Sequence, residues 1–247
     1  MSAYYHSLKP FRALFQTGVP ILTYHKLGPR PQGARLKGLY VSTALFDRQL
    51  AELRAAGFAS APLTDAVQVS DNRTLRLGIT FDDGFTNVLR YGLEPLARHG
   101  FQAVQFLVSD RLGGCNEWDR EEKEVREPLM DASQVREWLG AGQVIGSHTR
   151  THPWLTRISV DQAQEEIRAS KASLEDLFGV PIEHFCYPYG DWNERVRDLV
   201  AEAGYVTACT TDPGINTKDV SPFLLRRFTA RYPSRNLKAI WQRLRWW

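Results

Sequence analysis

This sequence predicts a mostly parallel α/β fold in one large domain, on three observations. Short apolar runs alternate with amphipathic helical segments along the chain, the pattern of successive β–α–β units. A glycine follows each of five helical segments, at Gly57, Gly100, Gly140, Gly179 and Gly204, where a helix needs a left-handed stop. The length, 247 residues, suits one domain of barrel size, and 43% hydrophobic against 24% charged residues supplies a sizeable core.

In chain order, residues 11–19 read as a short terminal helix and 20–24 as the first strand. An irregular stretch, 28–38, precedes a helix at 43–56 that opens at Ser/Thr. A strand at 76–81 is followed by a helix at 85–99, and a strand at 103–108 by the charged segment 113–128, expected to lie over one barrel mouth. Then come a helix at 131–139, a strand at 144–147, a helix at 159–178, a strand at 184–187 and a helix at 193–203. Strands at 206–210 and 224–229 bring the strand count to seven, and 234–247 reads as a last helix.

Charge is unevenly spread. Residues 1–46 hold six Lys/Arg and 220–247 hold seven, with no Asp or Glu in either; +13 at the ends and +3 overall leave −10 between them. The ends also carry Tyr4, Tyr5, Phe11, Phe15, Trp241, Trp246 and Trp247. Basic aromatic ends suit peripheral contact with an anionic membrane surface, or simply a solvated face on helices packed against the body. No nucleic-acid motif is visible, which argues against that partner class. No stretch of about 18 apolar residues exists, so no transmembrane helix is expected. The first 19 residues, broken by His6, Lys9 and Arg12, do not read as a secretory signal. A cytoplasmic protein is expected, the alternative being one whose leader has been removed. Cys115, Cys186 and Cys209 have no metal spacing and read as reduced thiols, with a Cys186–Cys209 contact open to neighbouring strands.

The chemistry lies in Thr80-Phe81-Asp82-Asp83-Gly84 and His148-Thr149-Arg150-Thr151-His152. Each follows an apolar run, so each sits at the end of a predicted strand. One carboxylate and two imidazoles form a ligand set for a catalytic divalent metal with an open position. The second carboxylate is then left beside the metal as a base. On this reading Asp83 goes to the metal and Asp82 to proton transfer; the plain alternative is that an Asp caps the helix beginning at Phe85. A third stretch, Phe185-Cys186-Tyr187-Pro188-Tyr189-Gly190, ends a third strand in a sharp turn that can aim an N–H at a developing oxyanion. An ordinary strand-ending turn is the alternative.

In order, these stretches resemble the first three motifs of the carbohydrate esterase family 4 polysaccharide deacetylases, the NodB-homology family. The resemblance runs from about residue 20 to about residue 230. It implies a distorted (β/α)7 barrel as a single domain over 1–247, with basic terminal extensions, and hydrolysis of the N-acetyl group of an amino sugar. It also implies Asp82 as catalytic base, Asp83, His148 and His152 as metal ligands, and the main-chain N–H of Tyr189 as an oxyanion donor. The family's third motif often has an Arg where Cys186 stands; Arg226 or Arg227 is the expected substitute. Many members carry a Leu-x-x-His element near the C-terminus, but no histidine follows His184 here. Leu22-Thr23-Tyr24-His25 instead resembles the circularly permuted poly-N-acetylglucosamine deacetylase branch, which makes His25 the general acid.

Zn²⁺ is the expected metal, with Co²⁺ and Ni²⁺ satisfied by similar ligands. The expected partner is an N-acetylated saccharide: poly-, oligo-, nucleotide- or lipid-linked. Tyr187, Pro188, Trp192, Arg226 and Arg227 are candidate substrate contacts, and Trp118, Trp154, Tyr189 and Trp192 candidate stacking surfaces for sugar rings. An amidohydrolase acting on a non-sugar amide and an inactive saccharide-binding barrel are the competing readings.

Overall fold

The structure, a computed structural model, describes residues 4–67 and 75–231. The chain begins with β1 (Tyr4–Tyr5), α1 (Arg12–Phe15), β2 (Ile21–Tyr24), β3 (Lys26–Leu27), β4 (Tyr40–Val41), α2 (Thr43–Ala55) and β5 (Phe58–Ser60). It continues through β6 (Leu75–Phe81), α3 (Thr86–His99), β7 (Val104–Leu107), α4 (Ala132–Gly140), β8 (Val144–Ser147) and α5 (Val160–Phe178). The last elements are β9 (His184–Cys186), α6 (Glu194–Glu202), β10 (Thr207–Cys209) and β11 (Phe228–Ala230).

The main sheet is parallel throughout and runs β1-β11-β2-β6-β7-β8-β9-β10, with β5 added beside the start of β6. Its two ends meet through one segment. Leu225 donates to Ala208 O and accepts from Thr210 N, bonding to β10, and three residues later Phe228 pairs with Leu22 of β2. The seven central strands thus curl into a distorted (β/α) barrel, the fold class expected from the sequence.

Strand alternation sorts the residues. In β2 and β6, Leu22, Tyr24, Leu77, Ile79 and Phe81 join the large apolar cluster that also holds the buried residues of the helices. A smaller cluster of Ile21, Val104, Phe106, Cys186, Cys209 and Leu225 is separate from it, and Thr23 and Thr80 bond to each other at 2.7 Å. The helices supply matching apolar faces: α3 buries Val88, Leu89, Gly92, Pro95 and Leu96, and α5 buries Ala163, Ile167, Ser170 and Leu174. Each fully buried Leu or Phe adds about 1.5–3 kcal/mol.

The differences from expectation have local causes. The 224–229 strand starts only at Phe228, because Pro222 initiates a 3₁₀ turn through Leu224. The 11–19 helix is cut to a 3₁₀ turn and the four residues of α1. Helix α4 runs through Gly140 and stops at Ala141, with Gly142 rather than Gly140 left-handed. Strands β1, β3, β4 and β5 have two or three residues each, too short to show a period.

Of the four aromatic residues near the start, Tyr4 is exposed, with Arg231 over its ring at 4.0 Å, and the other three are core. Tyr5, Phe11 and Phe15 are buried and pack on one another, with Phe15 also against Phe58 and Phe228. The helix expected at 234–247, with Trp241, Trp246 and Trp247, lies outside the described residues. Among those described, no helix is long and apolar enough to cross a membrane. Cys186 and Cys209 are in-register neighbours on β9 and β10, and both are free thiols.

One buried histidine makes stability depend on pH. His184 accepts or donates one bond, to Thr207 Oγ1 at 2.9 Å, and burial pulls its pKa from 6.5 to about 4. Because the folded value lies below the unfolded one, the unfolded chain takes up the proton first as pH falls, so stability is lost through that window. Urea unfolding should show His184→Asn losing less stability than the parent between pH 7.5 and 4.5, by about 2–3 kcal/mol. Equal pH slopes in the two proteins would refute it.

Candidate active site

The chemistry collects where strands end. Thr80 and Asp82 continue the inward alternation of β6, and Asp82 N donates to Tyr24 O, carrying the β2–β6 pairing one residue further. Alternation alone would turn Asp83 outward. It does not, because Asp83 and Gly84 both adopt left-handed conformations, at φ 76° and 85°. The next residue, Phe85, is the N-cap of α3 and offers no side-chain cap, so the alternative of a carboxylate capping this helix is not realised.

His148 follows β8 and His152 lies one turn on. Thr149 and His152 are left-handed too, at φ 68° each, and His152 N donates to Thr149 Oγ1. Glu166 of α5 pins this turn by accepting from Arg150 N, Thr151 N and Thr151 Oγ1. The result is that Asp83 Oδ1 lies 3.5 Å from His148 Nε2 and 3.3 Å from His152 Nε2. All three side chains are buried, and their donor atoms lie within 4.8 Å of one another. Burial alone would raise the Asp83 carboxyl, but its bonds to the two imidazoles hold it well below the usual carboxylate range.

This donor set fits a divalent metal. Two ligands about 2.0–2.1 Å from one tetrahedral ion stand roughly 3.3 Å apart, close to both Asp83–imidazole separations. His148 Nδ1 lies 2.7 Å from the Cys186 carbonyl, which fixes the tautomer that leaves Nε2 with its lone pair. A second grouping, Asp82, His148 and Cys186, also falls within 4.8 Å. It is the poorer cation site, because Arg227 already neutralises Asp82.

Arg227 donates to both Asp82 oxygens at 2.8 Å, to Thr80 Oγ1 at 3.1 Å and to Thr210 O at 2.8 Å. Its Nη2 also lies 3.1 Å from Cys186 Sγ, so the small thiol at 186 leaves room for a guanidinium supplied from elsewhere in the chain. Burial would raise the Asp82 carboxyl, but Arg227 and then His25 bring it below its ordinary value. His25 Nε2 stands 3.8 Å from Asp82 Oδ2 at the end of β2, partly open to solvent. Burial lowers its pKa, against the opposing pull of Asp82 and Asp83.

Other expected contacts divide. Tyr189 is over a third exposed, left-handed at φ 60°, and edge-on to His152 at 4.5 Å. Gly190 follows at φ 73°, where a Cβ would strike Thr211 Oγ1. Pro188 is buried beneath this turn. Tyr187 does not face the site: it is buried, packs on Phe185 and donates its hydroxyl to Phe223 O. Arg226 is exposed and lies over Gly214, away from Asp82, so of the two arginines it is Arg227 that meets the carboxylate. Trp192 packs against the core. Trp154 stacks on Tyr189 at 4.1 Å, carries Arg157 over its ring at 4.0 Å, and is still over a third exposed.

Sequence reasoning missed Glu166, whose position on a helix face gave no hint of its role. It also missed Asp119, on the 113–128 segment, whose buried carboxyl is pushed up by desolvation, with a contribution from Asp83.

A family model described as polysaccharide deacetylase matches residues 70–208. The Bacillus subtilis protein YxkH is 27% identical over 216 residues, 85% of this chain and 70% of its own length. The peptidoglycan-N-acetylglucosamine deacetylase PgdA of Listeria monocytogenes is 23% identical over 70% of this chain, which spans about a third (32%) of that relative. The solved structure of Streptococcus pyogenes deacetylase PplD, in complex with acetate, shares the fold with a TM-score of 0.74, at 22% identity over 91% of this chain and 97% of its own.

Proposed function

Because this chain belongs to the polysaccharide deacetylase family, we propose that it hydrolyses the N-acetyl group of an amino sugar, releasing acetate and a free amine, with a divalent metal as cofactor. The observation that carries this reading is the convergence of Asp83, His148 and His152 beside a separate carboxylate, Asp82, held by Arg227. The metal, Zn²⁺ before Co²⁺ or Ni²⁺ for this donor set, supplies Lewis acidity and lowers the pKa of water when bound.

The chain's own residues do the rest. Asp82, kept ionised by Arg227, accepts the proton of the attacking water. The Tyr189 main-chain N–H, aimed by its left-handed turn, donates to the oxygen on which charge develops. His25, facing Asp82 from the other side, gives a proton to the departing amine. The substrate is an N-acetylated saccharide in poly-, oligo- or lipid-linked form, and the whole of 1–247 acts as one catalytic domain. The Arg227–Asp82 pair weighs against an inactive binding barrel, because it supplies the partner that Cys186 does not.

Protein loaded with Zn²⁺ or Co²⁺ and given a panel of N-acetylated saccharides should release acetate in a metal-dependent way. Bound metal with no acetate from any of them would sink the reading. His148→Ala should lose the metal, read as metal-to-protein stoichiometry after dialysis; retention of a full equivalent would show that the donors lie elsewhere.

A further inference from the structure

The two imidazoles of the donor set are secured differently. His148 has its second nitrogen on the Cys186 carbonyl at 2.7 Å. His152 Nδ1 is buried and has no hydrogen-bond partner. A ligating imidazole is ordinarily oriented through that second nitrogen. His152 is boxed in by rings instead. Trp118 stacks on its face at 4.5 Å and 20°, Tyr189 meets it edge-on at 4.5 Å, and His148 edge-on at 4.8 Å. The Tyr189 side of the box is backed by Trp154 and Arg157.

The Trp118 side is equally fixed. Trp118 sits in a 3₁₀ turn, Glu117–Asp119. Asn116 ties that turn by donating to Asp119 Oδ2 and Val125 O and accepting from Glu127 N. The segment is fastened to the 28–41 region through Glu124, which accepts from Arg35 N and Leu36 N, and through Glu127, which accepts from Tyr40 Oη. Its end is also fastened close to Asp83, where Pro128 O accepts from Thr86 N and, two residues further on, Met130 N donates to Gly84 O.

We propose that Trp118 is a positioning residue for His152: its ring takes the place of the missing hydrogen bond and holds Nε2 toward Asp83, so the 113–128 segment sets how tightly metal is held. This rests on the reading of Asp83, His148 and His152 as the metal set. Stacking fixes the plane of the imidazole but not a proton, so an aromatic substitute preserves the effect and an aliphatic one of similar bulk does not.

The test is a Zn²⁺ titration of the full-length, metal-free protein against a competing chelator. Trp118→Leu should raise the Zn²⁺ Kd about 10–100-fold, the range for loss of an orienting partner. Trp118→Phe should stay near the parent value. Asn116→Ala, which keeps the Trp118 ring but loosens the turn that holds it against His152, should weaken Zn²⁺ in the same direction, and it serves if Trp118→Leu does not fold. Parent-like Kd values for Trp118→Leu and Asn116→Ala, alongside loss of binding in His148→Ala, would overturn the proposal. Undiminished binding in His148→Ala would instead strike at the metal reading beneath it.

Discussion

Asp82→Asn should lower acetate release by roughly 10²–10⁴-fold, the usual worth of a positioned proton-transfer group, while the protein keeps its metal. The two effects separate because the two carboxylates do. Asp83 reaches both imidazoles through a left-handed turn, whereas Asp82 is spent on Arg227 and faces His25. An amide at 82 keeps the shape and one acceptor for Arg227 but cannot take up a proton. Metal stoichiometry and the rate at saturating substrate, measured on the same preparation, decide the matter. Full activity in Asp82→Asn would remove Asp82 from the chemistry; loss of metal along with activity would make it a ligand instead.

Arg227→Leu should cost about 3–5 kcal/mol of stability, the range for breaking a buried ion pair from one side. The carboxylate of Asp82 would stay buried without its cation, in a barrel interior that offers few other donors. Turnover should fall with it, since Asp82 then has less reason to stay ionised. The informative comparison is with the double variant Asp82→Asn/Arg227→Leu. If the pair is what the single change breaks, the double variant should be more stable than Arg227→Leu alone. Additive losses in urea unfolding would mean that the two side chains do not act as a unit. Arg227→Lys should restore little, because an ammonium cannot serve both carboxylate oxygens and Thr80 in one plane.

Much of this was legible in the chain. The alternation of apolar runs with glycine-stopped helices marks six of the seven ring strands to within a residue or two, and the strand-end placement of the Asp and His pairs follows from it. The local backbone was not legible. Nothing in the letters Asp-Asp-Gly says that Asp83 is left-handed, yet that conformation brings its carboxylate round to the histidines. Of five non-glycine residues at positive φ among those described, four are Asp83, Thr149, His152 and Tyr189, which lie at the site. Such strain persists only where packing imposes it, so it is written in the tertiary structure and not in propensity. The choice between Arg226 and Arg227 was closed to sequence for a related reason. It depends on which of two neighbours points inward, and two adjacent arginines carry no signal that sets this phase; in the structure Leu225 and Arg227 face in, while Arg226 is exposed. Tyr187 shows the converse error, because an aromatic beside a motif is as readily core as contact.

The segment that closes the ring has a consequence for timing. Residues 70–208, the span shared with the family model, contain Asp82 and all three converging donors. The two groups that face Asp82 lie outside that span, His25 before it and Arg227 after it. A nascent chain emerging from the ribosome therefore displays its whole donor set well before the cation that pairs with Asp82 exists. Arg227, the residue just before β11, brings that cation, so the buried Asp82–Arg227 pair forms only once the ring-closing segment has been made.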